Sequence, residues 1–199
     1  FWLPHSIEEP VIEGDRFIIR RTKNGDTGML QNQVLLPEAG NAQIEKVGGK
    51  GKEFWVFGTN YPNDALPNRP DDANERGAWR VEVSPAVPAA ENYFLNVMQV
   101  ADNTCKRMND VKRIDAGKVV GVQIADRIVT FSKNSLPLSG KIDMKVDGNT
   151  SMKFVITDLI PGTWQIKKDG KVYIPAMEVR SNDGILSFEG TAGHYEFGR

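Results

Sequence analysis

One cysteine in 199 residues, Cys105, excludes an intrachain disulfide, so packing and not a covalent staple must hold this chain together. A lone cysteine fits the cytosol and equally a secreted enzyme large enough to need no staples. Cys105 lies in the polar stretch Asp102-Asn-Thr-Cys-Lys-Arg107 with no histidine near it in sequence, which argues against a reactive thiol. Histidine is almost as scarce: His5 and His194 fit no triad spacing, no HExxH-like pair and no metal clamp. Ser84 and Ser132 lack a nucleophile-elbow motif. No apolar run approaches the ~20 residues that span a bilayer. Charge of one sign is missing too. With 25 Lys and Arg against 26 Asp and Glu the formal net charge is -1, both signs interleaved, which argues against nucleic acid as a partner because phosphate binding needs clustered cations. Finally, no window sustains apolar spacing at i, i+3 and i+4. Val87-Pro-Ala-Ala-Glu91 offers a single helical turn at most.

What remains is strand. Short β-branched or aromatic runs bounded by Gly, Asn, Asp or Pro occur at Arg16–Arg21, Met29–Leu36, Gln43–Val47, Glu53–Phe57, Ala78–Val83, Tyr93–Val100, Val119–Ile124 and Arg127–Phe131. They continue at Lys141–Val146, Met152–Thr157, Thr163–Lys167, Ile185–Glu189 and His194–Phe197. Ala78–Val83 alternates, with Ala78, Arg80 and Glu82 on one face and Trp79, Val81 and Val83 on the other, the mark of a half-buried strand. Ala125-Asp126 has hairpin spacing, and Asp147-Gly148, Asp169-Gly170 and Asp183-Gly184 are turn dipeptides. The expected fold is all-β: an antiparallel β-sandwich or stacked sheets. Residues 1–199 are expected to form one sandwich region with a soft internal boundary near residues 135–140, since either side alone would have a thin core.

Residues Gly58 to Arg76 interrupt the pattern with a long stretch rich in Asn, Asp and Pro, and loops of that length are usually functional or mobile. Aromatic residues gather around it in sequence: Trp55, Tyr61, Trp79 and Tyr93. Aromatic rings stack on the apolar faces of pyranose rings while polar groups meet the edges, so Trp55 and Tyr61 are candidate carbohydrate-binding residues. Arg69 and Arg76, with Arg80, are candidates for pairing with uronate carboxylates or sulfates. The competing reading is core packing, which fits Trp79 and Trp164 better, while Tyr61 stays open between the two. Asp71-Asp-Ala-Asn-Glu75 offers hard oxygen ligands but lacks the calcium-loop spacing and glycine, so it reads as a solvated loop. Glu8 and Glu9 are adjacent, and neighbours on a strand point to opposite faces, so they are no facing carboxylate pair. No catalytic residue is expected in the chain.

Segment order carries one further reading. Leu3-Pro-His-Ser-Ile-Glu-Glu-Pro10 resembles the Leu-x-His-Thr-x-Glu-Glu-Pro strand of the heparinase II/III-like family, and Leu35-Leu-Pro-Glu38 resembles its Leu-Leu-Pro step. Lys46-Val-Gly-Gly49, Lys52-Glu-Phe-Trp55, Gly77-Ala-Trp-Arg-Val-Glu-Val-Ser-Pro85 and Phe94-Leu-Asn-Val-Met98 follow in the same order. Val119-Val-Gly-Val122, Asp126-Arg127, Thr157-Asp-Leu159 and Pro161-Gly-Thr-Trp164 complete it. The resemblance implies polysaccharide lyases of bacterial origin, periplasmic or secreted, with a helical toroid followed by antiparallel β-sandwich domains. Such enzymes cleave uronic-acid polysaccharides by β-elimination, with Tyr and His residues at the toroid–sandwich interface as base and acid. This chain is similar to the later β region alone, so it is expected to be a non-catalytic portion that supports a catalytic domain and lines part of the substrate cleft. Its implied partners are an acidic polysaccharide and the upstream toroid and β region of the same protein. Two alternatives stay open: a stand-alone carbohydrate-binding module, and a structural or assembly module of a surface protein. Phe1-Trp-Leu-Pro-His5 has no initiator Met and no leader-like features, so the chain is expected to be a fragment or processed piece. The resemblance also implies that His5 is one ligand of a structural zinc whose other ligands lie elsewhere. Pro4 departs from the usual apolar residue there, and since proline removes a ladder donor, this strand is expected at an edge or bulge.

Overall fold

The computed structural model describes residues 2–61, 77–134 and 136–199. The chain divides into two compact units, Phe1–Met108 and Asn109–Arg199. Among the described residues every regular element is a β-strand, as the alternating patterns require. The stretch around Leu138 lies inside the second unit: Leu138 is buried, its N–H donates to Asp158 O at 2.6 Å, and its carbonyl accepts from Ile160 N at 3.0 Å.

The first unit contains β1 (His5–Ser6), β2 (Val11–Glu13), β3 (Arg16–Lys23), β4 (Asp26–Leu36), β5 (Ala42–Gly48), β6 (Trp55–Val56), β7 (Thr59–Asn60), β8 (Trp79–Pro85) and β9 (Leu95–Asp102). A four-stranded sheet runs β2-β3-β4-β9, a three-stranded sheet runs β1-β8-β5, and β6 and β7 pair alone; all pairings are antiparallel. Phe17 of β3 and Val34 of β4 pack with Val81 and Val83 of β8, and the Trp2 ring lies 5.6 Å from that of Phe17. Alternation along β8 does what its sequence dictates: Val81 and Val83 are fully buried, while Arg80 and Glu82 face the other way. Trp79 reaches only half-burial. Its indole lies over Gly48 and Gly49, which have φ of +151° and +78°, and a Cβ on Gly49 would come within 2.8 Å of the ring. Only glycine both adopts those angles and lets the ring approach. Strand β1, which follows Pro4, sits at the edge of its sheet, and Pro4 contributes its carbonyl to Val81 N at 2.9 Å.

The second unit contains β10 (Val111–Ala116), β11 (Val119–Ile124), β12 (Arg127–Ser132), β13 (Ile142–Val146), β14 (Met152–Ile156), β15 (Gly162–Lys168), β16 (Lys171–Val179), β17 (Leu186–Gly190) and β18 (Gly193–Gly198). Two sheets, β10-β11-β12-β14-β17 and β13-β18-β15-β16, enclose one core. Trp164, Tyr195, Phe154 and Phe197 are fully buried in it, and Phe154 stacks on Phe188 at 4.6 Å. The alternation Ile142, Met144, Val146 inward with Asp143 and Lys145 outward is the sandwich pattern in its plainest form. One pairing departs from the antiparallel expectation: β12 and β14 run parallel, because the chain crosses to the other sheet through β13 between them. A parallel pair cannot be closed by a hairpin and needs such a crossover.

Candidate functional site

A cleft of about 1020 Å³ opens on the first unit. Its walls come from four places: Leu3 and His5 at β1, Val47 near the end of β5, the β6–β7 hairpin with its flanks, and Arg80 and Glu82 on the outer face of β8. The hairpin is built by short-range chemistry. Phe57 (φ 47°) and Gly58 (φ 84°) are both left-handed, the two-residue turn that matches strand twist. Asn60 Oδ1 accepts from Phe54 N at 2.8 Å, and Tyr61 N donates to Phe54 O at 3.2 Å. Glu53 Oε2 accepts from Gly51 N at 2.9 Å, and backbone N–H groups of Glu53 itself and of Gly51 hold its carboxyl below the usual range. The hairpin therefore presents Trp55, Val56 and Phe57 from a braced base, with Lys52 Nζ 5.4 Å from the Trp55 ring centroid.

Of the residues singled out in the sequence, Trp55, Tyr61 and His5 line this one cleft. Tyr61 is 56% exposed and Trp55 is half-buried. Arg69 and Arg76, and the Asp71–Glu75 run, lie outside the described residues. Arg80 lines the cleft, and its guanidinium already meets Glu82 Oε1 through Nη2 at 2.6 Å and Nε at 2.7 Å. Sequence reasoning missed Phe57, Glu53 and Glu82. The hairpin signal for Phe57 was present in Phe-Gly flanked by Trp55-Val56 and Thr59-Asn60, but a fully exposed phenylalanine at a left-handed position is not what turn statistics anticipate. Glu8 and Glu9 go to separate partners, Thr22 N and Lys46 Nζ, so they do not act together.

Chemically, the cleft combines apolar and aromatic walls with an Arg–Glu pair, one carboxylate and one imidazole. Among the described residues no group of three or more His, Cys, Asp or Glu could hold a metal ion. Among the described residues His5 is the single imidazole lining the cleft. Such a surface suits a ligand with apolar ring faces and polar edges.

The fold is all-β and falls into two compact units. Residues 113–199 match the model of the heparinase II C-terminal domain, so the second unit is similar to the C-terminal part of the heparinase II/III-like family. No curated protein matches the chain.

Proposed function

We propose that this chain is a non-catalytic β portion of a polysaccharide lyase acting on uronic-acid polysaccharides, outside the cytoplasm of a bacterium, and that the first unit's cleft holds saccharide. One observation carries the reading: Trp55, Tyr61 and His5, separated in sequence, line a single cleft with apolar walls and an arginine in it. The domain match in the second unit supports the lyase context. In this reading a separate helical region supplies the base and acid of β-elimination, and Arg69 and Arg76 assist Arg80 in meeting uronate carboxylates. Any zinc held by His5 would draw its remaining ligands from beyond the described residues.

Titration of the chain with uronate oligosaccharides, followed by tryptophan fluorescence, tests this. Binding should saturate, and Trp55→Ala and Tyr61→Ala should each weaken it about tenfold, a change of about 1.4 kcal/mol. Ultraviolet absorbance of unsaturated uronate should stay flat with the chain alone. Product formation by the chain alone would overturn the non-catalytic assignment, and binding indifferent to both substitutions would overturn the cleft. The exposed Phe57 and Val56 favour a second reading, docking of another protein region on the hairpin. Concentration-dependent association in sedimentation without sugar, lost in Phe57→Ser, would select it.

A further inference from the structure

The second unit carries a polar groove of about 420 Å³ on the outer face of the β13-β18-β15-β16 sheet, with Lys141, Gln165, Lys167, Glu196, Gly198 and Arg199 among its lining residues. That size falls within the range of small-ligand sites, roughly 300–1,000 Å³. Three cationic side chains and one carboxylate face it. Glu196 is already neutralised, with Oε2 2.6 Å from Lys141 Nζ. Lys141 also reaches Asp143 Oδ2 at 3.4 Å, and Asp143 is bonded to His194. Lys167 and Arg199 make no close ion pair among the described residues, although the Lys167 charge reaches Glu196 at longer range and helps hold that carboxyl below its usual value. The Arg199 guanidinium lies over Gly162, where a Cβ would come within 3.0 Å of Nε and Nη2. Gly162 thus makes the room that lets the cation lie close to the sheet. Gly198, the last residue of β18, pairs with Gln165, and a Cβ there would meet nothing within 4 Å. The groove exists because a strand position that ordinarily carries an outward side chain carries none.

We infer that this groove binds one anionic group, a carboxylate or a sulfate, of an acidic sugar, as a second saccharide site separate from the aromatic cleft. The saccharide part rests on the function proposed above; the anion part rests on the groove alone. Its chemistry complements that of the cleft. No exposed aromatic ring lines it, so recognition comes from the two cations, the Gln165 amide and the third donor left on the Lys141 ammonium.

Nuclear magnetic resonance on the whole ¹⁵N-labelled chain tests it, with three hexasaccharides: one carrying carboxylates only, one carrying sulfates only, and one uncharged. Amides of Gln165, Lys167 and Gly198 should shift saturably with a charged sugar and not with the uncharged one. Response to the carboxylate form alone, the sulfate form alone or both names the anion and supports the site. Lys167→Gln combined with Arg199→Gln should weaken this binding at least tenfold. Gly198→Val keeps every charge, suits a strand, narrows the groove and should weaken it comparably. Equal shifts with the uncharged sugar, or charged-sugar shifts unchanged in both variants, would overturn the proposal. If the Trp55 indole responds while the groove amides stay silent, the groove fails and the cleft reading stands; the reverse response separates them the other way.

Discussion

Tyr195 shows how one side chain ties packing to pH. Fully buried between the sheets of the second unit, its hydroxyl donates to Thr191 O at 2.6 Å, and burial pushes the phenol up to about 12 from 10.0. The neutral form is the one the fold favours. Its contribution is therefore complete below pH 10 and is lost as pH rises to about 12, at most about 3 kcal/mol. Chemical denaturation across that range should show the loss, and Tyr195→Phe should lack this limb while costing about 1 kcal/mol at neutral pH for the missing hydrogen bond. The opposite limb belongs to the outer face. A hydrogen bond from His194 holds Asp143 below 3.8, and one from Lys141 holds Glu196 below 4.5. Depressed carboxyl values mean that stability is present above the unfolded values and is lost as pH falls through the folded ones. Thermal melts taken toward pH 3 should therefore be shallower in pH dependence for Asp143→Asn than for the parent. Gly121 belongs to the same scale. A Cβ there would strike Val129 O and come within 2.8 Å of Thr130 Cγ2, so Gly121→Ala should lower stability by about 1–3 kcal/mol in urea titration.

Among elements, the β6–β7 hairpin holds a conflict between conformation and surface. Phe57 adopts φ 47°, where L-residues with bulky side chains are strained, and exposes its whole ring. Phe57→Gly should leave stability unchanged or raise it by about 1 kcal/mol in denaturant titration, while reducing the affinity of whatever the cleft and hairpin hold. A loss of stability would mean the ring is packed in solution. Strand identity was legible wherever one face is buried: β8, β13 and β14 alternate because the core demands it. Strands β2, β7, β10 and β16 were not legible; β7 is only Thr59–Asn60 and lies in the stretch read as loop. β2 is three residues long, β10 mixes charges on both faces, and β16 carries Pro175 at a sheet edge where little burial disciplines the pattern. The parallel β12–β14 pair was invisible for a different reason, since periodicity reports which face is buried and says nothing of strand direction. Aromatic residues beside the long loop could be suspected from Trp55 and Tyr61. Their meeting with His5 could not, because it depends on β1 pairing with β8 across more than seventy positions, His5 opposite Arg80. The groove of the second unit left no local trace at all: Lys141, Lys167 and Arg199 are far apart in sequence.

For the whole molecule, two separate cores predict two unfolding events. The first unit's core centres on Phe17, Val34, Val81 and Val83, and the second unit's on a larger aromatic set around Trp164 and Tyr195. Calorimetry should resolve two transitions. Trp164 is fully buried with Nε1 donating to Ile160 O at 3.1 Å, so Trp164→Ala should cost about 3–5 kcal/mol and depress one transition only. A single transition displaced as a whole would show the units to be one cooperative body. The strand order β13-β18-β15-β16 has a consequence in time as well. β13 has β18 as its strand partner, and β18 is the last strand among the described residues. A ribosome delivers β13 about fifty residues before the strand that must lie beside it. Through that interval β13 has no strand beside it, so this sheet is completed late, when β18 arrives between β13 and β15.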